Sequence, residues 1–223
     1  MKQILAKHKI IWADKLFLRA AVIGLIFFAV SMVVNYAATN FATKEASRSV
    51  TDIILSNLPT FDLDFIIIEG ALLLVLFTIF VFAYEPKYIP FVLKSVAFFV
   101  LVRATAMVLT HLGPYPDQAL PDPARFLQVI GIGYNADLFF SGHTGMPFLL
   151  ALIFWKQKIL RYIYLAASII FAVAVLLTHN HYSIDVFAAY FITYAIFHIV
   201  LKIFTYDYQH LLHKNVLDVA EIP

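Results

Sequence analysis

The stretch F-I-I-I-E-G-A-L-L-L-V-L-F-T-I-F-V-F-A-Y, Phe65–Tyr84, decides the fold class. It holds one charged residue, Glu69, in a run as long as the ~20 helical residues that cross a hydrocarbon core. Outward from it, further apolar runs occupy Ala20–Ala38, Ile89–His111, Thr144–Trp155, Leu160–Thr178 and Tyr182–Phe204. The whole chain agrees: its 223 residues are 62% hydrophobic and 13% charged, about half the charge of a soluble domain. Backbone facing lipid must satisfy its own hydrogen bonds, so the runs are read as helices. No segment shows the ten-residue alternation of a barrel strand. The expectation is an all-α, polytopic membrane helix bundle with about six transmembrane helices. The fourth run is short, and is expected to extend backwards through Phe139 and Phe140 or to lie as a tilted or re-entrant helix.

Lysine and arginine set the orientation. Lys2, Lys7, Lys9, Lys15 and Arg19 precede the first run, and Lys87, Lys94, Lys156, Lys158, Arg161, Lys202 and Lys214 fall on the same side. The opposite loops hold only Lys44, Arg48 and Arg125. Both termini are therefore expected in the cytoplasm, with 1–19 an interfacial segment, 20–204 the six-span domain and 205–223 a cytoplasmic tail. The first run is too long for the apolar core of a cleaved signal peptide and is read as a retained helix. A net charge of +2 with dispersed basic residues gives no reason to expect nucleic acid, and the absence of cysteine excludes disulfides and thiolate chemistry. The proline-rich stretch Leu112–Asp137 reads as an outward loop, either a lid, an entrance or a solvated linker.

Chemistry concentrates in two short segments, F-S-G-H-T at Phe140–Thr144 and H-Y-S-I-D at His181–Asp185. About two crossings separate them, so both histidines fall on the same, outward, face. His181 and Asp185 stand at i and i+4 and share a helix face. A carboxylate there holds the imidazole in one tautomer and leaves its other nitrogen as a nucleophile or base; the same pattern also describes a capped helix start. Ser141, Gly142 and Thr144 at a helix start let an anion approach free backbone N–H groups. His143 beside them can protonate a leaving oxygen. Arg103 lies inside the third run, where an arginine is costly and points to function. Its fork suits phosphate oxygens, and a structural ion pair with Asp137 or Asp185 is the other reading. His179 and His181 lack a third ligand, so no metal and no cofactor are expected.

These segments resemble the sphingomyelin synthase family, within the lipid phosphate phosphatase (type 2 phosphatidic acid phosphatase) superfamily. D-L-F-F-S-G-H-T, Asp137–Thr144, is similar to that family's D-Y-L-F-S-G-H-T, and H-Y-S-I-D-V-F-A-A-Y-F-I-T, His181–Thr193, to its H-Y-T-I-D-V-I-I-A-Y-Y-I-T. R-A-T-A-M, Arg103–Met107, and L-P-T-F-D, Leu58–Asp62, resemble its other segments more loosely. The resemblance implies a catalytic triad of His143, His181 and Asp185 on the non-cytoplasmic face. His181 would attack the lipid phosphorus, Asp185 would orient it, and His143 would serve as acid and base. Arg103 would hold phosphate, with Asp137, Ser141, Gly142 and Thr144 grouped around it. The phosphatase branch has an arginine where Val175 stands here, and a proline where Phe140 stands. Both departures favour a phosphodiester over a dianionic monoester.

The expected activity is transfer of a phosphocholine- or phosphoethanolamine-type headgroup from a phospholipid donor to a lipid alcohol, ceramide or diacylglycerol. The alternative is a hydrolase with water as acceptor, and a third reading is a non-catalytic lipid-binding or transport protein. A short chain without accessory domains is expected in a bacterial inner membrane.

Overall fold

The computed structural model describes residues 2–118 and 138–212. Helix α1 (Lys2–Ala13) ends at Asp14, whose carboxylate accepts the Leu16 N–H at 2.8 Å and so starts α2 (Lys15–Lys44). Helices α3 (Asp64–Tyr84) and α4 (Ile89–Leu109) follow, joined by a 3-10 turn at Pro86–Tyr88. The rest are α5 (Gly142–Ile153), α6 (Lys158–Leu177), α7 (Ser183–Ile203) and α8 (Thr205–Leu212). No strand occurs among the described residues.

Helices α2, α3, α4, α6 and α7 are long and apolar enough to cross a membrane. The expected fourth span is the exception. Helix α5 has 12 residues and covers only ~18 Å of a ~30 Å hydrocarbon core. The expected extension through Phe139 and Phe140 does not form, because both adopt left-handed backbone, with φ of 76° and 27°. The chain turns there and enters the helix at Gly142.

Small residues allow α2 to lie close along α4. Gly24 sits against Pro90 and Leu93, and Ala38 and Ala42 pack with Ala104 and Met107. These paired contacts make the two helices parallel. The main core lies among α4, α5, α6 and α7, centred on Phe91, Phe99, Leu149, Phe154, Tyr164 and Ile196. Helix α3 is peripheral. Its Thr78 hydroxyl meets that of Tyr164 at 2.9 Å, while Leu72, Leu73, Leu76 and Phe80 remain exposed, as lipid-facing residues would.

One end of the bundle collects the connection after α2, the end of α4, the end of α6 and the starts of α5 and α7. Ser47 N–H donates to the His111 carbonyl there at 2.9 Å, and Phe61 N–H to that of Leu177 at 2.8 Å. The opposite end is held by charge. Lys7 pairs with Glu85, and Lys94 Nζ meets Asp207 Oδ2 at 2.6 Å, with the two residues only 7% and 6% exposed. Removing one partner of a buried pair leaves an uncompensated charge. Lys94→Met should therefore destabilise the protein by about 3–5 kcal/mol, read as thermal melting in detergent. Lys94→Met with Asp207→Leu should recover most of that loss, and equal melting of wild type and K94M would show that the pair contributes nothing.

Candidate active site

The site begins with a tight reversal after α6. Asn180 and His181 both donate their N–H to the Val175 carbonyl, at 3.0 and 3.3 Å. His179 takes φ of 54° to permit the turn, and its Nδ1 lies 3.1 Å from the Thr60 hydroxyl. The reversal delivers His181 to the first turn of α7. Its Nδ1–H donates to Asp185 Oδ2 at 3.1 Å, and the Tyr182 N–H donates to the same oxygen at 3.1 Å. Asp185 thus caps its own helix and fixes the imidazole tautomer, leaving Nε2 with its lone pair. His181 is 5% exposed and Asp185 fully buried.

The second motif docks onto this turn. Ser141 N–H donates to the Asp185 carbonyl at 3.1 Å. Ser141 Oγ accepts the Thr144 N–H at 3.3 Å as the N-cap of α5. Buried Arg103 reaches the same turn from α4, its Nε donating to the Phe140 carbonyl at 3.3 Å. Position 142 is tight: a Cβ there would stand 3.0 Å from Arg103 Nε, so any residue but glycine would displace the guanidinium by a few tenths of an ångström. A cavity of about 260 Å³ opens beside it, lined by Arg103, Gly142 and His143 together with apolar side chains of α3, α4, α5 and α6. The His143 ring stands edge-to-face with Phe171 at 6.2 Å.

Seven of the sequence-derived site residues thus gather around one turn. His143 and Arg103 face the cavity, while Ser141 and Thr144 build the helix start. His181 and Asp185 do not line the cavity and reach the turn from the α7 side, through Ser141. Asp137 lies outside the described residues, and the proline-rich loop is described only as far as Gln118. A larger cavity of about 730 Å³ opens at the opposite end, among Phe77, Tyr84, Lys87 and Leu160, and has no histidine in its lining. The chemistry favours the smaller one. Arg103 and Phe171 each lie roughly six residues, or ~9 Å, short of the ends of α4 and α6.

Sequence reasoning missed the roof over the His–Asp pair. Asp52 Oδ2 accepts the backbone N–H and hydroxyl of Ser183 at 2.7 and 2.8 Å. Its Oδ1 accepts the N–H groups of Ile54 and Leu55 at 2.8 and 3.1 Å. Asp52 therefore caps α7 from a distant segment. The Tyr182 hydroxyl accepts the Val50 N–H at 3.2 Å and donates to the Gly113 carbonyl at 2.8 Å. No local pattern announces either contact.

Burial pushes the Asp52 carboxyl up, but the hydrogen bonds from Ser183, Leu55 and Ile54 outweigh it and hold the pKa below 3.8. A depressed native pKa gives stability that is present above the unfolded-state value and lost as pH falls through the folded one. Asp52→Asn should melt below wild type at neutral pH, and the gap should narrow as pH drops beneath the ordinary carboxylate range. A gap that stays constant from neutral pH to the lowest pH at which wild type remains folded would refute this role.

Residues 136–202 match the family model described as PAP2 superfamily C-terminal. No curated protein and no solved structure matches the chain. The matched residues include both histidine motifs, helices α5 and α6, and all but the last residue of α7. The match therefore supports a relationship to the lipid phosphate phosphatase superfamily, and with it lipid phosphohydrolase or phosphotransferase chemistry in a multi-pass membrane protein.

Proposed function

We propose that the chain is a phospholipid headgroup transferase of the sphingomyelin synthase kind, acting on the non-cytoplasmic leaflet. One observation carries this reading: the buried His181–Asp185 pair and the cavity of Arg103 and His143 meet at a single turn, Ser141–Gly142. Arg103 is the one permanently charged cation among the described residues lining the cavity. A single guanidinium suits the one negative charge of a phosphodiester better than the two of a monoester.

The donor's phosphate binds against Arg103 and the first turn of α5. His181 Nε2 attacks phosphorus, and the bond from phosphorus to the diacylglycerol oxygen breaks. His143 delivers its proton to that oxygen as the alcohol leaves. Asp185 stabilises the imidazole as its ring gains positive character. In the second half, His143 takes the proton of a lipid alcohol whose oxygen attacks phosphorus, and the P–N bond to His181 breaks. The covalent step divides one difficult displacement into two easier ones. Ceramide or diacylglycerol serves as acceptor, and no cofactor enters either step.

The PAP2-type match equally accommodates water as acceptor, and one experiment separates the two. Purified protein in liposomes receives headgroup-labelled phosphatidylcholine or phosphatidylethanolamine, with and without ceramide and diacylglycerol. Label should move to a new lipid with wild type, should not move with His181→Ala, and should move roughly 10²–10⁴-fold more slowly with His143→Ala. Label released into water would make the protein a hydrolase. Equal signals from wild type and H181A would end the histidine mechanism and leave a lipid-binding protein.

A further inference from the structure

Asn35 lines the same cavity as Arg103 and His143, yet it belongs to α2, outside both motifs. An amide within an apolar span is costly unless it is hydrogen-bonded. Asn35 is half-buried, and no described residue bonds to its side chain. It faces a cavity rather than a neighbouring helix, so a ligand is the natural partner.

Depth identifies which part of a lipid it meets. Ala38 packs with Ala104, and Asn35 lies one turn, ~4.5 Å, deeper along α2. The Arg103 side chain reaches the other way, to the Phe140 carbonyl and Gly142. Ala71, Leu74 and Val75 supply an apolar wall. Val100 and Phe99 lie three and four residues deeper than Arg103 along α4 and complete that wall, so the cavity presents a cation, then an amide, then hydrocarbon. A diacyl phospholipid presents phosphate, then ester carbonyls, then acyl chains, in that order. An acceptor's hydroxyl must reach phosphorus at the level of Arg103 and His143, so it is not the group that meets the deeper amide.

We infer that Asn35 donates its Nδ2–H to an ester carbonyl of the donor, making a subsite selective for diacyl over dialkyl phospholipids. This rests on the proposed donor-binding role of the Arg103 cavity. Asn35 is a binding and specificity residue and takes no part in proton transfer.

The test compares headgroup-labelled diacyl phosphatidylcholine and phosphatidylethanolamine with their di-O-alkyl analogues, which lack the carbonyls. Wild type should favour the diacyl form by roughly 3- to 10-fold in kcat/KM, the worth of one neutral hydrogen bond, with the difference falling mainly in KM. In Asn35→Leu the diacyl-to-dialkyl ratio should fall to about one. A wild type with equal kcat/KM on both forms overturns the inference without any variant. So does an N35L protein that keeps the wild-type ratio. Should N35L fail to fold, Asn35→Ala provides the same ratio. A wild type that turns over neither form overturns the proposed function itself, and is thereby distinguishable from failure of the subsite alone.

Discussion

Asp185 bears three attachments at once. Its Oδ2 holds His181 Nδ1 and the Tyr182 N–H, both at 3.1 Å, and its backbone carbonyl receives the Ser141 N–H, also at 3.1 Å. The first two bonds define the start of α7, and the third ties the α5 turn to it. With Asp185 fully buried, losing its carboxylate would leave His181 Nδ1 and the Tyr182 N–H without a partner, a cost of ~1–3 kcal/mol for each, and would loosen the turn whose backbone holds Ser141. The residue is thus a structural keystone before any chemistry is assigned to it.

The turn before α5 stores strain that this arrangement sustains. Two consecutive non-glycine residues, Phe139 and Phe140, occupy left-handed backbone, each at ~1–3 kcal/mol. Phe140 is fully buried, edge-on to Phe99 at 5.4 Å, and its carbonyl accepts from Arg103. An arginine inside a span needs such an acceptor. The strained turn presents that carbonyl to the guanidinium and leaves Gly142 flush against it.

The sequence revealed the helices and motifs wherever the signal was local. Apolar runs located the long spans, and the i, i+4 spacing of His181 and Asp185 foretold their hydrogen bond. An arginine out of place in V-L-V-R-A marked a residue that reaches the turn. Contacts between distant segments were not legible. Asp52 is an ordinary loop aspartate until its carboxylate meets Ser183, 131 positions away. Lys94 served only to orient the chain, and nothing local links it to Asp207, 113 positions away, with which it forms a buried pair. Of the two readings of the short fourth run, the extension through Phe139 and Phe140 failed because hydropathy does not register a change of backbone handedness, whereas the run itself is as short as the 12-residue helix it forms. Asn35 escaped attention because one amide barely alters the character of a 30-residue helix.

The depth of Arg103 and Phe171 along α4 and α6 has a consequence for the bilayer. A phosphate bound at that level lies ~9 Å below the helix ends. To arrive there, a phospholipid must submerge its polar head relative to its neighbours, or the leaflet must dimple around the bundle. Short acyl chains and thin membranes lessen that displacement, and thick, tightly ordered ones enlarge it. Under the proposed function, turnover is thereby coupled to membrane thickness through the height at which the helices stop.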